Sequence, residues 1–116
     1  FNIVPEAAKY LADRNIAEIA KSTEFNNRPD ALCVSGLTAG SETDTQVLTQ
    51  VKKAVKHTPI LCNTGCNKDN ITRQLSAADG AVCATTFKID GIFENAVDEK
   101  RVKEFMDIVK AFRETL

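Results

Sequence analysis

Along this 116-residue chain the spacing of apolar positions switches repeatedly between a strand period and a helix period. The opening "FNIV" reads as a short strand, and Ile16, Ile19, Ala20 and Thr23 then recur at helical spacing within "NIAEIAKSTEF". "DALCVSG" is apolar on successive positions, as a buried strand would be, and it stops at Gly36. In "SETDTQVLTQVKKAVKH" the residues Val47, Leu48, Val51 and Val55 form one stripe of a second helix, with Asp44 or a neighbouring hydroxyl residue as its N-cap. Pro59 opens the next strand, "PILCNTG", at the position where a missing N–H does least harm. "NKDNITRQLSA" is a short helix with Ile71 and Leu75 four apart, and "GAVCATTF" is a further strand. Asp98 caps a last helix whose stripe is Val102, Phe105, Met106, Val109 and Phe112. The order is βαβαβαβα over one domain, residues 1–116.

Strands that alternate with helices pair in parallel through right-handed crossovers, and a parallel sheet is normally covered on both faces. Two architectures satisfy this order: an open doubly wound sheet and part of a (β/α)8 barrel. Both bind ligands at the carboxyl ends of their strands. "LCVSG", "LCNTG" and "VCATT" each place a cysteine, a hydroxyl residue and Gly or Thr near such an end, which predicts matching positions for Cys33, Cys62 and Cys83. Zinc sites favour close thiolate pairs of the C-x2-C type. Here Cys62 and Cys66 have three residues between them, and the one histidine, His57, falls at a helix end, so no metal site is predicted. The absence of C-x-x-C also argues against a thioredoxin-like role, leaving the thiols as small, reduced core residues of a cytoplasmic protein.

Composition removes other classes. Fifteen basic and 16 acidic residues are mixed along the chain with no basic block, so nucleic acid is not an expected partner. The apolar runs are strand-sized, far below the ~20 residues of a membrane helix. No secretory leader is visible, and the chain starts without Met, as a piece of a longer protein would. No pattern calls for a cofactor.

The later units carry a family likeness. Gly65, Asp69-Asn70, the turn Ala78-Asp79-Gly80, the small-residue strand Cys83-Ala84-Thr85-Thr86, Lys88-x-Asp90-Gly91 and Asn95-x-Val97-Asp98 resemble, in type and order, the carboxyl-terminal end of the BtpA family. The resemblance covers essentially the whole chain. It implies a (β/α)8 barrel, and because such barrels take ~250 residues, this chain would be the second half, strands five to eight. A half barrel has two raw edges and an open inner face, to be covered by an amino-terminal half or by self-association. The family name implies an assembly or stability role in photosystem I biogenesis, as an alternative to catalysis.

For a barrel enzyme, loops after strands seven and eight often hold phosphate on free backbone N–H groups. Gly65, Cys66 and Asn67 are one expected lip of such a cradle, and Ala84, Thr85 and Thr86 the other, although Ala84 stands where a Gly is common. Ser35, Gly36 and Asn63 are further ligand-binding candidates at strand ends. Three residues are candidates for chemistry. Lys88 would neutralise a phosphate or oxyanion, Asp90 would fix a sugar hydroxyl or a metal, and Glu6 would act as a general base. Each has a plainer reading: Gly65 as a tight turn, Lys88 and Asp90 as a solvated loop, Glu6 as the first-turn acid of a helix. The expected ligand is a small phosphorylated metabolite, with isomerisation, aldol cleavage and hydrolysis all open as reactions.

Overall fold

A computed structural model describes residues 1–116. Four short strands, β1 (Asn2–Val4), β2 (Leu32–Val34), β3 (Ile60–Cys62) and β4 (Gly80–Ala81), alternate with α1 (Ile16–Asn27), α2 (Thr45–Ala54), α3 (Ile71–Ala77) and α4 (Glu99–Arg113). The caps explain where three helices begin. Asn15, Asp44 and Asp98 each accept a backbone N–H two residues ahead, at 2.7–2.9 Å, so the first orphan donors are satisfied.

All pairings are parallel and the strands lie side by side in chain order, β1-β2-β3-β4. A doubly wound sheet reverses its order at a switch point, and this one does not. With every crossover of one hand, unreversed order puts all helices on one face. Consecutive helices accordingly pack on one another, α1 on α2, α2 on α3 and α3 on α4. This is the architecture of half a (β/α)8 barrel.

Only the helix-facing side of the sheet is covered. Ile3, Leu32, Val34, Ile60 and Cys62 are fully buried there and meet Leu48, Val51, Ile71, Phe105 and Val109 from the helices. Each large aliphatic among them contributes ~1.5–3 kcal/mol of burial. Cys33 and Leu61, on the opposite parity, are only half-buried. The expectation of a sheet covered on both faces therefore fails for this chain, because nothing in it covers the inner side of the barrel wall.

The predicted equivalence of the three cysteines fails as well. Leu32 pairs with Ile60, so Cys33 lies beside Leu61, and Cys62 lies beside Val34. A one-residue offset turns a side chain to the other face, and Cys33 thus points to the inner side while Cys62 points to the helices. β4 ends at Ala81, before Cys83, and Thr85–Phe87 turn into a single 3-10 turn. The strand expected over "GAVCATTF" is that much shorter. Cys33 and Cys83 are half-buried, and the buried thiols are Cys62 and Cys66.

Candidate functional site

The loops that leave β1, β2, β3 and β4 at their carboxyl ends surround a shallow cleft of about 340 Å³. It is lined by Glu6, Asn63, Gly65, Cys66, Asn67, Ala84, Thr85 and Thr86, eight of the twelve residues expected at a ligand site. Glu6 is its one carboxylate. It sits in a turn well before α1, which removes the reading of Glu6 as a first-turn helix acid.

Ser35 adjoins the cleft without lining it. Its Oγ accepts from the side-chain amides of Asn63, at 2.9 Å, and Asn2, at 3.1 Å, in a polar row across β1, β2 and β3. Gly36 donates its backbone N–H to Thr64 Oγ1 and is buried, outside the cleft lining. Lys88 and Asp90 lie outside the lining. Their segment is held elsewhere: Lys88 pairs with Val97, and Asp90 takes a left-handed φ of 57° in the turn before Gly91.

The cation of the cleft is Arg101, from the first turn of α4, which sequence reasoning missed. Its Nε donates to the Thr86 carbonyl at 2.8 Å, tying the helix to the loop after β4. Arg101 follows the Asn95-x-Val97-Asp98 motif by three residues, and this position was the available signal.

Backbone donors divide sharply between the loops. The N–H groups of Gly65, Cys66, Ala84, Thr85 and Thr86 take no partner within the chain. That of Asn67 is already taken by Asn70 Oδ1 at 2.8 Å, while Asn67 Oδ1 accepts from Asp69 and Asn70. Asn70, buried before α3, also donates to the Gly65 carbonyl at 2.9 Å. Asn67 and Asn70 thus brace the lip, and the free donors lie on either side of the brace.

Gly65 has φ +70°, and a Cβ there would stand 2.4 Å from the backbone of Ser41. Its small size is required by the β2–α2 loop pressed against it, rather than by room for a ligand. Behind that contact lies a buried polar network that sequence reasoning also missed. Thr43 Oγ1 reaches the Val34 carbonyl at 3.2 Å and the Thr64 carbonyl at 3.3 Å. Gln74, fully buried on α3, donates to Glu42 at 2.8 Å and to the Thr43 carbonyl at 3.0 Å. The Arg73 guanidinium, with help from Asn70 and Gln74, holds the Glu42 carboxyl below its usual range despite partial burial.

Gln74 Oε1 accepts from Cys62 at 3.5 Å, and Cys62 Sγ lies 3.2 Å from Cys66 Sγ. The shared S–H···S contact lowers the Cys62 thiol to about 7 and pushes Cys66 far up, with Cys83 adding to the rise at Cys66. Cys66 also acts as hydrogen-bond partner to Cys83 and lowers that thiol against the opposing effect of burial. No group of three or more His, Cys, Asp or Glu side chains is arranged to hold a metal ion.

A parallel half barrel with its polar cleft at the carboxyl end of the strands belongs to the class of (β/α)8-barrel proteins. Residues 1–111 match the profile of the BtpA family, and the chain belongs to that family, a family of such barrels. The sgc region protein SgcQ of Escherichia coli is 60% identical over 113 residues, covering 97% of this chain and 42% of that protein. The photosystem I biogenesis protein BtpA of Synechocystis is 27% identical over 106 residues, 91% of this chain and 37% of that protein. An uncharacterized protein of Caenorhabditis elegans is 33% identical over 107 residues, 92% and 38% respectively. The chain therefore spans well under half the length of these relatives. No helix is long and apolar enough to cross a membrane.

Proposed function

We propose that the cleft binds the phosphate of a small phosphorylated metabolite, such as a sugar phosphate, as part of a complete barrel enzyme. The observation that carries this reading is the gathering, in one cleft, of unpartnered backbone N–H groups from two loops, those of Gly65, Cys66, Ala84, Thr85 and Thr86 among them, with Arg101 of α4. Such donors suit a phosphate better than a neutral ligand, since each N–H and the guanidinium meets an anionic oxygen. Glu6, the one carboxylate at the cleft, is the candidate general base. Lys88 and Asp90 lie outside this arrangement, and Arg101 takes the charge-neutralising role first expected of Lys88.

Calorimetry of the full chain against a panel of phosphorylated metabolites tests the proposal. Arg101→Met is expected to weaken binding by ~1–3 kcal/mol, the scale of a charged hydrogen bond, with Lys88→Met close to wild type. Loss in Lys88→Met alone would move the anion out of the cleft to the segment around Lys88. The second reading, a role in assembly, is supported by large apolar side chains that are exposed and do not line the cleft, Leu11, Leu37 and Phe93 among them. Failure of every phosphorylated compound to bind would favour it.

A further inference from the structure

Cys62 and Cys66 form a dithiol that the phosphate reading does not use. Their sulfurs lie 3.2 Å apart, and a disulfide brings two sulfurs to about 2.05 Å, so closure needs a movement of ~1 Å. Cys62 sits at the end of β3, fixed by the sheet, and Cys66 sits on the loop that follows. The far side of that loop is held by the Asn67–Asn70 brace, so closure is a local shift of residues 63–66. Cys66 and Cys83 line the cleft, whereas Cys62 lies directly behind the Cys66 thiol. A molecule hardly larger than water that enters the cleft meets the Cys66 thiol there, with the fully buried Cys62 in contact behind it.

We propose that Cys62 and Cys66 are an oxidation site at which a hydroperoxide converts the two thiols reversibly into a disulfide beneath the cleft. The Cys62 thiolate attacks one oxygen of hydrogen peroxide and the O–O bond breaks. The departing hydroxide takes a proton and leaves as water, with Cys62 as sulfenic acid. The Cys66 sulfur then attacks Cys62, the S–O bond breaks, and the second hydroxide leaves as water with the Cys66 proton. Two thiols lose two electrons and two protons, and one peroxide becomes two waters. A dithiol reductant reverses the bridge by exchange. The lowered Cys62 thiol supplies the attacking thiolate, and the Cys66 thiol stands within reach to resolve the sulfenic acid. Cys33, on the inner side of the sheet, has no thiol partner. The inference stands on the thiol geometry and is independent of the ligand.

The test is mass spectrometry of the folded full chain after limited hydrogen peroxide, with remaining thiols alkylated and the protein digested without reduction. Two of the four thiols should be lost first. The peptide that holds both Cys62 and Cys66 should be lighter by two hydrogens, and a dithiol reductant should restore it. Cys66→Ser should stop the reaction at a sulfenic acid on Cys62, read as one added oxygen and captured when the protein is unfolded in the presence of dimedone, and Cys83→Ser should leave the bridge unchanged. All four thiols still reduced when free cysteine in the same solution is consumed would overturn the proposal. So would first oxidation at Cys33, or a first bridge through Cys83, and both readouts come from the wild-type protein without reference to any variant's folding.

Discussion

At the amino-terminal end of the sheet, charge closes the loops. Glu24 reaches from α1 to the segment before β3 and accepts the backbone N–H groups of Lys56, at 3.0 Å, and of His57 and Thr58, each at 2.9 Å. Asp79, just before β4, accepts the Ile60 N–H at 3.0 Å and pairs with Lys52 at 3.0 Å. At the carboxyl end the loops are held by hydroxyls, amides and thiols together with the Glu42–Arg73 ion pair. The backbone N–H groups of Gly65, Cys66, Ala84, Thr85 and Thr86 are among those left unpartnered. The Glu42 carboxylate of the neighbouring loop is taken up by Arg73 and Gln74 and leaves those donors unoccupied. The carboxylates that grip backbone N–H groups of a distant segment thus lie on the floor, while the mouth keeps backbone donors free, the division expected of a barrel.

The mouth's own stability is the first point at which this contrast can be broken. Gly65→Ala places a methyl 2.4 Å from the Ser41 backbone, at a φ of +70°. We expect a loss of about 3–4 kcal/mol in urea unfolding of the full chain, from backbone strain and overpacking together. Gly40 is the control. Its φ is +79° with open space around it, so Gly40→Ala should cost only ~1 kcal/mol, the left-handed conformation alone. Equal losses in the two variants would mean that the β2–α2 loop yields, and that Gly65 is small for some other purpose.

Gln74 ranks next. Fully buried, it links α3 to Glu42, Thr43 and Cys62, so Gln74→Ala leaves polar partners unpaired and opens a cavity. The expected cost is roughly 2–3 kcal/mol. Gln74→Glu keeps the volume but adds a carboxyl facing Glu42, and should be at least as costly at neutral pH and partly relieved in acid. A Gln74→Ala variant as stable as wild type would show that the mouth's buried polar network is dispensable.

The sequence made the layered order legible because apolar period and capping residues act locally. The stripes of α2 and α4, the Asp44 and Asp98 caps, and the strand at Pro59 depend on neighbours within a few residues. Much of the cleft was legible for a related reason: a barrel gathers strand-end loops, so position along the chain placed Glu6, Asn63, Gly65–Asn67 and Ala84–Thr86. What depended on register was hidden. The offset that separates Cys33 from Cys62 is one residue, and no local pattern encodes it. Gln74 reads as an ordinary polar helix position, and its burial follows from where the 41–43 loop lands. Arg101 enters the cleft because α4 returns against the loop after β4, a contact between elements. Cys62 and Cys66 were set aside on their spacing, yet the turn at Gly65 brings the sulfurs together.

The floor supplies the smallest and most specific test. The backbone N–H of His57, joined by those of Lys56 and Thr58, lowers the Glu24 carboxyl from its ordinary 4.5 to about 2 against the opposing effect of burial. Between those values the folded chain binds fewer protons than the unfolded chain, so stability rises with pH. The contribution is complete above about 4.5 and is lost as pH falls through 2. The carboxylate keeps contact with water, and screening trims its contribution to ~1 kcal/mol. Glu24→Gln retains an oxygen that accepts the same N–H groups but does not titrate. Burial also acts to raise Asp79, but the Ile60 N–H and Lys52 outweigh it and its carboxyl is lowered; this background is common to both proteins. Urea midpoints from pH 6 to pH 2 should therefore fall more steeply for wild type than for Glu24→Gln, with the curves converging in acid. Parallel curves would mean that Glu24 is no more than a solvated surface acid, and that the floor is held by its apolar contacts alone.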